Sequence, residues 1–392
     1  MLPSGPCGPE PRQAASAEAD LSGGSLRPTS TPDEAATVAA AREFYARLER
    51  CGRTFADAGV VALNLAHGTF AGNDWLGLVT ELARVAPGLC DVLRRVGKGA
   101  VDLVAGETGN FTPAYAARLE RGLSAGAGRP FPVRLFHWSG QNNHVARADG
   151  AVNLLVELDR RAAELPAEAW ADPRRPPRVQ LWGHSHGGNM LAILTNLLAA
   201  DEATRAEFFA AARPFYHSWL AGRADLPAWS AAEQLLADQD RPVRRLRLDV
   251  VTFGTPIRYG WDTSPPAPAV AEPSAPSPPA VGDVLTARHG DYVQQIGIAG
   301  TNLCVAPLTL RTFKANRRLG RLLEAGVDRE GLRSRLRRGV RVAAEGTTLL
   351  VAYADPDRSP LRHLWGHGLY TRTRWLAWHC ERIAEELYGG DE

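Results

Sequence analysis

The chain has 392 residues, 45% of them hydrophobic, and a formal net charge of +2. That is ample apolar material for one large α/β domain, and the near-neutral balance argues against nucleic acid or another polyanion as partner. Of 45 basic residues only Lys98 and Lys314 are lysine, an arginine bias that, with the alanine richness, reads as coding composition rather than function.

Residues 1–35 are rich in Pro, Gly, Ser and Ala and read as a disordered tail ahead of a single domain over 36–392. The tail lacks the basic start and apolar stretch of a signal peptide, and no apolar run approaches membrane-spanning length. The five cysteines (Cys7, Cys51, Cys90, Cys304, Cys380) are scattered and never in a C-x-x-C, the pattern of free thiols in a reducing compartment. The expectation is a soluble, cytoplasmic protein.

A first helix is expected over Thr37–Leu48. Gly59–Ala66 is a nearly continuous apolar run, as suits a strand buried on both faces, and it ends in His67-Gly68-Thr69. Helical periodicity follows from Trp75 to about Arg84, and again within Pro113–Leu123. A second strand, Val133–Trp138, runs into Ser139-Gly140-Gln141-Asn142-Asn143, with a helix after it from about Ala151 to Ala163. The strand Val179–Trp182 comes next. Asp201–Asp240 reads as helical; its aromatics Phe208, Phe209, Phe215, Tyr216, Trp219 and Trp229 are either core or a cap over an acyl pocket. Leu246–Phe253 is another buried strand, ending in Gly254-Thr255-Pro256. Residues 264–280 hold seven prolines in 17 positions, which no sheet strand tolerates, and read as a disordered loop over 264–281 inside the domain. Val284–Ala287 and Thr347–Tyr353 are the last strand candidates, and Trp375–Leu387 the closing helix. Strands alternating with helices imply a mostly parallel sheet with helices on both faces.

The most informative stretch is Val179–Leu198. An apolar strand meets Gly183-His184-Ser185-His186-Gly187, and a helical pattern begins at once. This is G-x-S-x-G in its meaningful context: a strand-to-helix turn so tight that the serine is strained and only glycine fits two residues either side. The serine hydroxyl is then presented at a helix N-terminus, where developing negative charge is favoured. A serine nucleophile needs a histidine base, and that base needs an orienting carboxylate.

Here the chain resembles the α/β-hydrolase superfamily, nearest to bacterial lipase- and esterase-like members, over roughly Val60 to Leu387. The resemblance rests on His67-Gly68 after an early strand, the Gly183–Gly187 elbow, Gly254-Thr255-Pro256 after the next strand, and a late histidine before the last helix. It implies an α/β-hydrolase fold and a triad in the chain order serine, acid, histidine. His367, in a glycine-flanked loop before the last helix, is the expected base, with His363 as competitor. Asp291, in His-Gly-Asp-Tyr-Val, looks like the family's acid turn. Asp355 and Asp262 are the alternatives, and Asp355 is disfavoured because only 12 positions separate it from His367. The oxyanion donors are expected to be the amides of His186 and Thr69, with Ser139 or Gly140 as substitutes for the latter.

Other features weigh less. His184 and His186 flank the serine without the acidic neighbours of a metallo-hydrolase pattern, so no metal and no cofactor is implied. From Arg311 to Arg341 there are 11 basic residues against Glu324, Asp328 and Glu330, punctuated by Leu319, Leu322, Leu323, Leu332 and Leu336. This is either a solvated face of leucine-packed helices or a basic amphipathic surface for anionic lipid, the membrane contact being the lesser reading. The expected activity is hydrolysis of a small-molecule or lipid carboxylic ester through an acyl-enzyme. Thioesterase, amidase and acyltransferase use the same machinery. The rival reading is a catalytically silent binding or scaffold protein on the same fold, against which serine, histidine, acid and His-Gly loop stand together.

Overall fold

Among the described residues the strands form from largely apolar runs and enter one sheet. The computed structural model describes residues 38–69, 107–217, 225–256, 258–261, 281–287, 293, 310–323, 347–351, 353 and 366–389. The strands are β1 (Val60–Ala66), β2 (Val133–Phe136), β3 (Arg178–His184), β4 (Arg247–Phe253), β5 (Val281–Ala287) and β6 (Thr347–Val351). They lie in the order β2-β1-β3-β4-β5-β6, and each neighbouring pair is parallel. The helices are α1 (Val38–Asp57), α2 (Pro113–Ala127), α3 (His144–Ala163), α4 (His186–Ala199), α5 (Glu202–Tyr216), α6 (Pro227–Ala237), α7 (Pro242–Arg245), α8 (Leu310–Leu323) and α9 (Leu376–Tyr388).

Parallel strands need crossovers, and crossovers put helices on both faces. The alternation of side chains along each strand feeds two separate cores. Val179, Leu181, Leu248 and Val250 pack with residues of α3, α4, α5 and α6. Trp182, Val251 and Phe253, one position out of phase, pack with residues of α1, α2 and α9. The chain is thus an α/β protein with a parallel sheet between helical layers. The expected aromatics of 208–229 belong to the first core: the rings of Phe208, Phe209, Phe215 and Tyr216 surround Trp229 at centroid distances of 4.9–6.1 Å. Trp219 lies outside the described residues.

Three helices and two strands exceed their expected lengths, β3 spanning Arg178–His184 and β5 Val281–Ala287. Helix α1 runs on to Asp57 and α2 to Ala127, through Gly52, Gly122 and Gly126. Helix α3 starts at His144, capped by the Asn143 side chain accepting the Ala146 amide. Strand β2 is shorter than expected and ends at Phe136. The tail 1–35, the helix from Trp75, residues 264–280 of the proline-rich loop and the basic stretch after Leu323 lie outside the described residues, while Val281, expected in that loop, opens β5. Among the described residues no helix is long and apolar enough to cross a membrane, and Cys51 and Cys380 are buried free thiols.

The strand order fixes where a site would form. Strand β1 has β2 on one side and β3 on the other: the chain leaves β1 toward one edge to form β2, then crosses back past β1 to form β3. In open parallel sheets such a switch point opens a crevice beyond the C-terminal strand ends. The residues delivered there are His67-Gly68-Thr69 from β1 and His184-Ser185 from β3.

Candidate active site

Ser185 sits between β3 and α4 with φ 52° and ψ −129°, the only non-glycine residue with positive φ among those described. A serine at a helix N-cap ordinarily turns its oxygen back onto the helix amides. Ser185 makes no such bond, so its hydroxyl is not spent on capping the helix. The residue is 6% exposed.

The glycines around it are required by close approach. A Cβ at Gly183 would lie 2.7 Å from the Gly188 nitrogen, and one at Gly187 would lie 2.7 Å from the carbonyl oxygens of both Ala66 and His67. A Cβ at Gly68 would lie 2.9 Å from the Ser185 Cβ. The β1 turn therefore rests directly on the serine.

Hydrogen bonds hold this turn rigidly. The Ser185 amide donates to the Phe253 carbonyl at 2.8 Å, and the Thr255 hydroxyl donates to the Ser185 carbonyl at 2.9 Å. One turn into α4, the buried Asn189 amide donates to Pro256 O at 2.8 Å and to His186 Nδ1 at 3.0 Å, while its oxygen accepts the Arg258 amide at 3.0 Å. The Gly254-Thr255-Pro256 turn is thus lashed to the elbow.

His67 fixes the β1 turn from the other side. The Trp138 amide can only donate, so Nε2 of His67 accepts from it at 3.3 Å, and Nδ1 carries the proton donated to Gly68 O at 2.9 Å. The Trp138 indole donates to His67 O at 2.9 Å, and the two rings stack 5.8 Å apart. The turn after β2, with Ser139 and Gly140, therefore walls the site through Trp138. Thr69 follows directly, and its hydroxyl oxygen is buried without a hydrogen-bond partner.

His367 arrives from the loop before α9. The imidazole of His184 donates from Nε2 to His367 O at 2.9 Å, and the two rings are 4.7 Å apart. The residue immediately before the serine thus anchors the backbone of the expected base beside it. His184 is fully buried, and burial, together with the neighbouring His367, pushes its pKa well below the usual histidine range. It is a neutral hydrogen-bond donor, not a base.

Of the expected site residues, Thr69 follows the end of β1, Ser185 and His186 follow the end of β3, and His367 is hydrogen-bonded to His184, the last residue of β3. The expected acid Asp291, its alternatives Asp355 and Asp262, and the competitor His363 lie outside the described residues. The roles of Asn189, Thr255 and His184 escaped the sequence reading, since their partners lie far away in the chain. Only the immediate proximity of His184 and Asn189 to the elbow could have drawn notice. Among the described residues no three His, Cys, Asp or Glu side chains group as a metal site would need. No protein-family model, curated protein or solved structure matches this chain.

Proposed function

We propose that the chain is a serine hydrolase of the α/β-hydrolase fold that cleaves carboxylic esters. The observation that carries the reading is Ser185: a strained serine between a parallel strand and a helix, making no cap bond, at the sheet's switch point. The contact of His367 with His184, the residue before the serine, and of Gly68 with Ser185 itself supports it.

In this mechanism Ser185 Oγ attacks the ester carbonyl carbon while His367 takes the hydroxyl proton. The carbonyl oxygen becomes an oxyanion. His186 is the first residue of α4, and first-turn amides have no partner inside a helix, so its N–H is one donor to that oxyanion. Thr69 supplies the second through its amide. His367 then protonates the leaving alcohol, and water, deprotonated by the same imidazole, releases the acid and restores Ser185. Asp291 is our candidate for the carboxylate that orients His367. No cofactor takes part, and the substrate is a small-molecule or lipid ester.

The test is labelling with a fluorophosphonate followed by turnover of p-nitrophenyl esters of graded chain length. Phosphonylation at Ser185 and measurable turnover are expected. Ser185→Ala should lose activity by about a millionfold while staying folded, as for nucleophile removal in other triads. Asp291→Asn should slow turnover by roughly ten-thousandfold and Asp355→Asn far less. A folded wild-type protein that resists the probe and turns over no ester would favour the silent binding protein instead.

A further inference from the structure

Helix α8 carries a pattern that ester chemistry does not use. Its residues divide by face. Ala315, Asn316 and Leu319 are buried, and Asn316 Oδ1 accepts the amide of His144, the first residue of α3, at 2.8 Å. The other face, spaced i, i+3, i+4, i+7, i+8 and i+11, reads Leu310, Phe313, Lys314, Arg317, Arg318 and Arg321, all exposed. Leu310 is 84% and Phe313 48% exposed, and they are the only exposed large hydrophobic residues among those described. They share one turn, and the helix contains no Asp or Glu. Among the described residues none of the four cations is paired with a carboxylate.

We propose that this face of α8 docks the protein on an anionic lipid surface. A merely solvated face would explain the cations but not an uncovered leucine and phenylalanine on the same turn. Nucleic acid would likewise engage the cations and leave the apolar pair in water. A lipid surface uses both: the apolar side chains enter the acyl boundary while the ammonium and guanidinium groups meet headgroup phosphates. The geometry also gives docking a direction. Helix α3, whose first amide α8 holds, starts just beyond the C-terminal end of β2. That is the end of the parallel sheet that carries Ser185, so α8 is anchored at the site's end of the sheet.

The test is co-sedimentation of the full-length protein with vesicles of phosphatidylcholine alone, and with part of the lipid replaced by phosphatidylglycerol, at low and high salt. Binding to the anionic vesicles only, weakened by salt, is expected. Arg317→Glu combined with Arg318→Glu should weaken it by roughly tenfold or more, since each cation near such a surface is worth about fivefold. Leu310→Ser combined with Phe313→Ser should also release the protein, and neither pair should shift the melting temperature. Equal pelleting on both vesicle types, or unchanged binding by the double Glu variant, overturns the proposal. Full binding by the Leu310/Phe313 variant overturns it too and reassigns the face to a polyanion such as nucleic acid. Pelleting is read without turnover and can be repeated with Ser185→Ala, so its failure is distinct from failure of the hydrolase reading.

Discussion

At Ser185 the backbone itself is the specialised feature. At φ 52° and ψ −129° the Cβ of any L-residue crowds its own peptide, and such a residue persists only because its surroundings over-determine it, at a cost of order 1–3 kcal/mol. The backbone bonds of Ser185, its amide to the Phe253 carbonyl and its carbonyl from the Thr255 hydroxyl and the Gly188 amide, do this here. Glycine is free of that strain. In an ordinary helix or strand Gly is less stable than Ala by roughly 0.5–1 kcal/mol; at position 185 the order should invert. Ser185→Gly should be more stable than Ser185→Ala by about 1 kcal/mol, both being inactive, when their urea unfolding curves are compared. An Ala variant as stable as the Gly one would mean that the turn relaxes once the hydroxyl is gone. The strain was legible in the sequence because glycines forced by close approach leave a local mark at 183 and 187. The bonds from Asn189, Thr255 and His184 were not, because each joins side chains to backbone tens or hundreds of positions away, and no local period records that.

Helices α1 and α2 run past their expected ends because their glycines carry a second meaning. Glycine inside a helical pattern lowers the expectation that the helix continues, yet α1 runs past Gly52 to Asp57. It continues because α1 and α2 pack backbone to backbone: a Cβ at Gly52 would lie 2.4 Å from Leu123 O, and one at Gly126 would lie 2.0 Å from Glu49 O. These glycines are contact points between helices, not stops. The closing helix α9 was legible from its own period, yet its anchor was not. Tyr388 donates to the fully buried Asp249 at 2.7 Å and accepts from the Gln180 amide at 2.9 Å, while Gln180 Oε1 accepts the Trp182 indole at 2.9 Å and Arg178 grips the same aspartate. Removing one hydroxyl leaves a buried carboxylate oxygen and a buried amide each short of a partner. Tyr388→Phe should therefore lower unfolding free energy by about 1–3 kcal/mol, measured by denaturant titration, with ester turnover of the folded protein unchanged. A neutral result would mean that water replaces the hydroxyl at the helix end.

At the scale of the whole molecule, the alternation of strands with helices made the parallel α/β arrangement legible, because period-2 burial and crossover length are local properties. What the molecule does with its histidines was not. Three imidazoles are taken fully into the interior as neutral groups. Burial lowers the pKa of His144 to about 2, with Arg147 and Arg258 pushing the same way. Burial alone lowers that of His379 to about 3, and His184 falls well below its usual range. In the unfolded chain each takes a proton near pH 6.5. Below that pH the unfolded state binds more protons than the folded one, so the stability these residues contribute is complete above about pH 6.5 and is lost as pH falls toward their folded values. The slope is about 1.4 kcal/mol per pH unit for each histidine, and it does not depend on how far below the working range the folded pKa lies. His379→Phe isolates one share. Its Tyr353 neighbour, 2.9 Å away, loses a partner, so the variant should be less stable near neutral pH by about 1–3 kcal/mol. Its stability should nevertheless fall less steeply with acid, so that the wild-type and variant curves of unfolding free energy draw together from about pH 7 to about pH 5. Parallel curves would mean that His379 takes a proton inside the folded protein, at Nδ1, and that the Phe253 and Trp378 packing around it opens to water before the chain unfolds.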